Sequence, residues 1–432
     1  MLSLQAITPG VFEKLRKDGA RAIESKVANA GRVLLVGNSD WNLYNFRLPL
    51  ARALRRAGLE VVLVCPGGNY VRELEREGFR CVLWRLDRRS MNPLREARAV
   101  LDLFHIYRRE RPQVVHHFTI KPILYGTFAA LKAGVPVIIN AFTGLGTMLG
   151  SGATWRQPGV VLLRPFVVVA FLRWLLRKPN VWTIVLNEAD AQFFMRLQSK
   201  RGLPPKVVLD EGVDIRRFVP RAKSDDDASP PCVIMAARLL WDKGVAEFVE
   251  AARLLRRHGV RARFLVAGAV DPGNPTAVDE ETLVRWRSEG VVEFLGHRTD
   301  MPELLAGCHI AVLPSYHEGL PRFLLEAAAC GLPLVASDIP GCRCVVRPGV
   351  NGLLVPVRNP QALAEAIGHL LEDPDLRQRY GEASRRIAVE EFAEERALEE
   401  YLAVYREAGV LYENAKTVLV EEAGNHDPPD TP

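Results

Sequence analysis

Between Arg111 and Asn187 the sequence contains no aspartate or glutamate, whereas Arg111, Lys121, Lys132, Arg156, Arg164, Arg173, Arg177 and Lys178 all fall there. The net charge of the 432 residues is only +6. This one-sided stretch therefore marks a candidate surface for an anionic partner. Nucleic acid is a poor fit, because these cations ride on aliphatic sequence rather than on polar, aromatic-interleaved sequence. The chain also lacks an unbroken apolar run long enough to span a bilayer. The stretch GVVLLRPFVVVAFLRWLLRKP, Gly159 to Pro179, is interrupted by Arg164, Pro165 and Arg173. It reads as a buried helix or as a surface against lipid headgroups, with Phe166, Phe171, Trp174, Arg173, Arg177 and Lys178 as its expected contacts.

Paired cysteines are missing too. The seven cysteines are odd in number and scattered, and Cys342 and Cys344 are too close to staple anything and have no histidine nearby to complete a zinc set. This argues against a disulfide framework and points to a reducing, intracellular setting. The N-terminus carries charges where a signal peptide needs an apolar core, so secretion is not expected. No short-period repeat is present. Hydrophobic content of 48% and charged content of 25% are ordinary for a globular chain, and the length calls for two domains.

Strand-like runs alternate with helical patterns twice over. The first set is RVLLVG, EVVLVC, QVVHHF and VPVIIN. The second is PPCVIMAARLL, RARFLVAG, GVVEFLG, CHIAVLPS, LPLVASD and NGLLVPV. Strands alternating with helices predict doubly wound α/β domains. The polar RAKSDDDASPP, Arg221 to Pro231, reads as a loop at the start of the second domain. Two tempting motifs are set aside. GLGTMLG, Gly144 to Gly150, has the wrong glycine spacing for a dinucleotide fingerprint, and Asp225 to Asp227 is a solvated charge run with no strand to deliver it.

The chemistry concentrates in LPSYHEGLPRFLLEAAACGLPLVASDIPG, Leu313 to Gly341. Strand composition at both ends, Pro321 at a helix start and Gly331 at a helix end predict strand, loop, helix, strand. Glu318 then lies on the loop beyond a strand's carboxyl end, where ligands of parallel sheets bind. Glu326 starts the second turn of the helix, its side chain leaning back toward the same pocket. Arg238 and Lys243, in MAARLLWDKG, emerge beyond the second domain's first strand. A guanidinium fork and an ammonium point charge together suit a diphosphate. Each feature also has a plainer reading, as a surface cation or a solvated carboxylate.

Arg238, Lys243, Glu318-Gly319 and Glu326, followed by SDIPG and NGLLV, resemble the retaining glycosyltransferases of family four, and NEADAQFF and EGVDIRRFVP fit the same likeness. The resemblance runs from about Arg32 to about Arg406. It implies the α/β GT-B fold, two facing Rossmann-like doubly wound domains with an interdomain cleft. On this basis residues 1–30 are an N-terminal extension, 31–205 an acceptor-binding domain and 206–395 a nucleotide-sugar domain. Residues 396–411 are then a helix returning to the first domain, and 412–432 a disordered tail. Within the family, LDRRSMNP, TGLG and the two motifs just described are similar to transferases that extend sugars on undecaprenyl diphosphate.

The roles implied by the resemblance are specific. Glu326 binds the ribose hydroxyls, and Glu318 faces the transferred sugar, with Gly319 and Leu320 beside it. Arg238 and Lys243 hold the diphosphate and stabilise its departure. His297 and Arg298, in GHRTD, lie where the uracil rests. Lys121 in TIKP, with His117, is the expected contact of the acceptor's diphosphate. The implied donor is a UDP-sugar, UDP-N-acetylgalactosamine or a relative, with no metal or other cofactor. The implied acceptor is a lipid-diphosphate-linked saccharide, met by a cytoplasmic, membrane-peripheral enzyme on an anionic bilayer. The chain departs from the family in three places. GNSDWNLYNFR has a single glycine, His116-His117-Phe118 lacks the second histidine of a His-x-His pair, and Cys344 stands where glutamate is frequent. Alternatives are a family-four enzyme with another donor or a soluble acceptor, an epimerase on the same fold, and an inactive binding subunit.

Overall fold

The computed structural model describes residues 31–88, 90, 92–143, 164–198, 202–210, 212–221 and 230–411. The expected N-terminal extension, the 412–432 tail, GLGTMLG and Asp225–Asp227 lie outside them. The remaining chain forms two units, residues 31–143, 164–210 and 398–411 in one and 212–397 in the other.

In the first unit, β1 (Arg32–Val36), β2 (Glu60–Cys65), β3 (Arg80–Leu83) and β4 (Val114–Phe118) are joined by β5 (Val137–Phe142), β6 (Val181–Val185) and β7 (Lys206–Val207). All pairings are parallel, in the order β3-β2-β1-β4-β5-β6-β7. The strands are nearly continuous apolar runs because helices cover both faces. After β1 the chain makes a helical turn at Asp40–Asn42, widens into a π turn at Leu43–Arg47 and continues as α1 (Leu48–Arg56). The other connections are α2 (Val71–Arg76), α3 (Pro93–Glu110), α4 (Thr127–Ala133, after a π turn at Pro122–Gly126), α5 (Arg164–Leu176) and α6 (Glu188–Gln198). Asn92 caps α3 by accepting from the Leu94 and Arg95 N–H groups, and Pro93 takes a first-turn position that needs no N–H donor.

The second unit repeats the plan with β8 (Cys232–Ala236), β9 (Arg263–Ala267), β10 (Glu293–Gly296), β11 (Ile310–Leu313), β12 (Leu334–Ser337) and β13 (Gly352–Val355). Its parallel order is β10-β9-β8-β11-β12-β13. Its helices are α7 (Val245–Arg257), α8 (Glu280–Glu289), α9 (Met301–Ala306) and α10 (Arg322–Ala329). They continue with α11 (Pro340–Val345), α12 (Pro360–Glu372) and α13 (Pro374–Glu391). Both units are therefore doubly wound parallel-sheet domains. The strand order reverses between β1 and β4 in one and between β8 and β11 in the other, and ligands of such sheets bind beyond the strand ends at that reversal.

The last helix, α14 (Glu394–Glu407), contributes Leu398, Tyr401, Leu402 and Tyr405 to the first unit's core beside Val33, Leu35 and Phe118. Its anchor is polar as well. Arg47 is 2% exposed, pairs with Asp210 at 2.6 Å and lies 4.4 Å over the Phe118 ring, while the Tyr401 hydroxyl donates to the same carboxylate at 3.2 Å. This anchor and the pairing of β7 with β6 place Lys206 to Asp210 in the first unit, so the boundary expected after residue 205 falls later.

Candidate active site

The loops leaving β8 and β11 at the reversal point of the second sheet are pressed together. Gly244 ends a 3-10 turn at Trp241–Lys243 with φ +74°, and a Cβ there would lie 2.2 Å from the Pro314 carbonyl oxygen. Only glycine tolerates both demands. The Tyr316 N–H donates to the Asp242 carbonyl at 2.9 Å, fastening one loop to the other. Across this seam Lys243 Nζ donates to Glu318 Oε1 at 2.6 Å, with the side chains 17% and 15% exposed. The structure thus brings Lys243 and Glu318 into direct contact.

Glu318 is held from a second side. A Cβ on Gly341, in the first turn of α11, would stand 2.5 Å from the Glu318 carbonyl oxygen and 2.6 Å from that of Gly319. Next to Gly341, the fully buried Cys342 feels the ion pair. Burial chiefly pushes its thiol up, Glu318 adds to that, and Lys243 opposes it. Gly319 is buried and Leu320 half-buried beside the glutamate. Behind the loop, the Tyr316 hydroxyl donates to Glu247 Oε1 at 2.6 Å, and the Arg358 guanidinium lies 4.6 Å over the Tyr316 ring. Burial, then Glu247, raises that phenol above its ordinary range.

Arg238 rises from the same rim but is 58% exposed and pairs with Asp271 at 2.8 Å. Asp271 comes from the loop after β9 and has no sequence signal of its own. Glu326 lies in the second turn of α10 and accepts from Arg322 Nε at 2.8 Å. Burial raises its carboxyl above the usual range, while Arg322 and then Arg217 pull it back. The four-residue spacing on one helix face could have identified Arg322. The helix starts one residue later than expected, with Pro321 as its N-cap. His297 and Arg298 are exposed after β10, and Arg298 forms an ion pair with Asp300.

In the first unit the two expected acceptor contacts are engaged elsewhere. His117 is fully buried, its Nδ1 2.8 Å from Asn140 Oδ1 and its Nε2 2.9 Å from the Tyr107 hydroxyl. Burial lowers its pKa to about 4. Both of its ring nitrogens are engaged within the fold. Lys121 Nζ meets Glu96 at 2.9 Å and donates to the Asp87 and Ser90 carbonyls at 3.0 and 2.7 Å. Its ammonium thus ties the Asp87 and Ser90 carbonyls to Glu96 of α3. Sequence reasoning missed Thr119, directly after β4. It adopts φ +68°, and its buried hydroxyl has no partner among the described residues. A β-branched residue in that conformation is strained, and it sits at the sheet's reversal point.

Among the described residues no group of His, Cys, Asp and Glu could hold a metal ion. The Lys243–Glu318 seam offers fixed charge, an ammonium in direct contact with a carboxylate, with Arg238 leaving the same strand end but paired to Asp271.

Residues 217–387 match the family model described as glycosyl transferases group 1, and residues 32–161 match that described as glycosyl transferase 4-like. The chain is 29% identical to N,N'-diacetylbacillosaminyl-diphospho-undecaprenol alpha-1,3-N-acetylgalactosaminyltransferase of Campylobacter jejuni, over 87% of this chain and 98% of that protein. It is 30% identical to alpha-maltose-1-phosphate synthase of Mycolicibacterium smegmatis, over 72% of this chain and 85% of that one. Among solved structures, Anabaena HepE in complex with UDP-glucose superposes with a TM-score of 0.69 at 19% identity, covering 87% of this chain and 99% of HepE. That likeness establishes the fold.

Proposed function

Because the chain belongs to the glycosyl transferases of group 1 and has the two doubly wound domains of the GT-B fold, we propose the following reaction for it. A sugar, N-acetylgalactosamine or a relative, passes from UDP to a saccharide borne on a lipid (undecaprenyl) diphosphate, with its anomeric configuration retained. The observation that carries the reading is the Lys243–Glu318 contact at the reversal point of the second sheet. The Campylobacter relative supports the acceptor class, since its name specifies a diphospho-undecaprenol substrate. HepE supports the donor class, having been crystallised with UDP-glucose.

In this reading Lys243 and Arg238 meet the diphosphate. As the bond from the anomeric carbon breaks, its electron pair stays on the phosphate oxygen, and the fixed cations stabilise the growing charge. Arg238 reaches it by exchanging the Asp271 carboxylate for a phosphate. Glu318 orients Lys243 and accepts from hydroxyls of the transferred sugar. Glu326 accepts from the vicinal ribose hydroxyls, and His297 and Arg298 flank the base. The acceptor hydroxyl attacks on the face the diphosphate leaves and gives its proton to the departing phosphate oxygen, so catalysis is orientation and charge stabilisation without a covalent nucleophile. Two side-chain cations carry the work a divalent metal would do, so no metal is required.

No described helix is long and apolar enough to cross a membrane. In this reading an acceptor anchored in the bilayer is met by an enzyme peripheral to the membrane's cytoplasmic face, with no nucleic acid as a partner. The 30% identity to a maltose-1-phosphate synthase favours a second reading, in which the donor differs or the acceptor is water-soluble. A panel of nucleotide sugars offered with polyprenyl-diphosphate-linked and free saccharides separates the two. Transfer to the lipid-linked saccharide, with the product's anomeric configuration read by NMR, is the expected result. Transfer to free saccharides alone overturns the acceptor assignment, and release of free sugar with no acceptor present indicates an epimerase.

A further inference from the structure

α3, α4 and α5 lie side by side, since α3 packs on α4 and Phe128 of α4 meets Phe171 and Trp174 of α5 with ring centroids 5.9 and 6.4 Å apart. Right-handed crossovers from β3 to β4, β4 to β5 and β5 to β6 put all three on one face of the sheet. The outward side of this layer has an unusual composition. On α3, Leu94, Arg98, Leu101, His105 and Arg108 form one stripe at helical spacing, all exposed, with the leucines 72% and 56% accessible. α4 adds exposed Lys132, 5.8 Å over the Phe128 ring. α5 adds Arg173 and Trp174, the latter 44% exposed with Lys178 Nζ 4.5 Å above its ring.

The acids of these helices are all turned to internal use. Glu96 is paired with Lys121 and accepts from Tyr125. Asp102 accepts from the Arg85 N–H at 3.0 Å. Glu110 is buried against Arg80 and Arg109. Meanwhile Arg98, Arg108 and Arg173 meet no carboxylate among the described residues. The layer thus shows exposed leucines and a tryptophan inside a cationic field with no free carboxylate on those helices to oppose it. Apolar side chains that enter a headgroup layer, ringed by cations that meet anionic lipid, have this composition.

We propose that the outer face of α3, α4 and α5 rests on an anionic lipid bilayer, led by Leu94 and Leu101. This rests on the reading that the acceptor is membrane-borne and says where the enzyme meets its membrane. It also extends the surface expected from sequence. Arg173 and Trp174 remain in it, Arg177 and Lys178 are only half-exposed, and the Phe166 side chain lies outside the described residues.

The test is flotation of the full chain with vesicles of phosphatidylethanolamine and phosphatidylglycerol, against vesicles of phosphatidylcholine alone. The wild type floats with the anionic vesicles, less so as salt rises, and not with the neutral ones. The pairs Leu94→Glu/Leu101→Glu and Arg98→Glu/Arg173→Glu lower the floated fraction about tenfold or more. Arg56→Glu, an exposed change on α1 across the sheet, leaves it unaltered. Unchanged flotation of both paired variants, or no preference for anionic vesicles, overturns the proposal. So does concentration-dependent self-association that the leucine pair abolishes without affecting flotation, which would assign the face to a second copy of the chain. Turnover of a detergent-dissolved polyprenyl-diphosphate saccharide is measured in parallel and stays at the wild-type level in the variants. Absence of that turnover in the wild type sinks the acceptor reading, independently of the flotation result.

Discussion

Lys243 and Glu318 share a 2.6 Å charge-assisted hydrogen bond between the loops leaving β8 and β11. Both side chains are more than four-fifths buried, so removing one partner leaves a poorly solvated charge. Lys243→Ala is expected to lower turnover of a UDP-sugar about a hundredfold and to lower the melting temperature as well. The double change Lys243→Ala/Glu318→Gln separates the two effects. It should restore the melting temperature without restoring turnover. Recovery of both would reduce the lysine to a structural counter-ion.

Glu326 has its carboxyl raised by burial, against the pull of Arg322. The ionised form accepts from ribose hydroxyls, so UDP affinity should rise with pH as the carboxyl ionises, somewhat above the usual carboxylate range. Glu326→Ala should weaken UDP by about 1.5–3 kcal/mol and abolish that pH dependence, as titration calorimetry would read. Glu318→Ala should leave UDP affinity intact and damage transfer. Equal UDP affinity in wild type and the Glu326 variant would discard the ribose assignment.

Gly341 tests the loop itself. An alanine Cβ there meets the Glu318 and Gly319 carbonyls at 2.5 and 2.6 Å, both of them backbone atoms. Gly341→Ala should therefore cost about 1–3 kcal/mol of stability and move Glu318 from Lys243, lowering turnover with unchanged UDP affinity. A variant as active as wild type would show that the loop position is not required.

Buried His117 makes the fold acid-sensitive. Its pKa is lowered from 6.5 to about 4, so between those values the unfolded chain holds a proton that the folded chain refuses. Stability is then complete above 6.5 and falls as pH drops through that window, by roughly 3 kcal/mol at most. His116, lowered well below its ordinary value by burial, acts in the same direction. Urea midpoints measured across that range should fall toward acid, with a shallower slope in His117→Asn. A midpoint independent of pH would contradict the neutral, buried imidazole.

Chelation gives a simpler check. Because Lys243 and Arg238 are assigned the diphosphate's charge, turnover should survive exhaustive treatment with EDTA. A strict need for magnesium or manganese would mean the diphosphate is held in another way.

The sequence alone determined most of the architecture. Apolar runs such as RVLLVG and CHIAVLPS read as strands because parallel sheets covered on both faces demand nearly continuous hydrophobic segments. Arg238, Lys243, Glu318 and Glu326 were legible because each follows a recognisable strand or helix start, and in a doubly wound sheet those points share one rim. The edge strand β7 was not legible, because two residues of mixed character, Lys206 and Val207, carry no periodic pattern.

What only the tertiary structure decided is which charges meet. Spacing along the chain put Lys121 on a candidate acceptor rim, yet Glu96 and two carbonyls claim its ammonium. His117 looked available until β5 and α3 brought Asn140 and Tyr107 to its two nitrogens. Arg238 received Asp271, and Lys243 received Glu318, from loops far away in sequence. Secondary structure is written in local periodicity. A charge's partner is fixed by long-range packing, because a buried or half-buried ion must be matched by whichever opposite group the fold delivers within hydrogen-bonding distance.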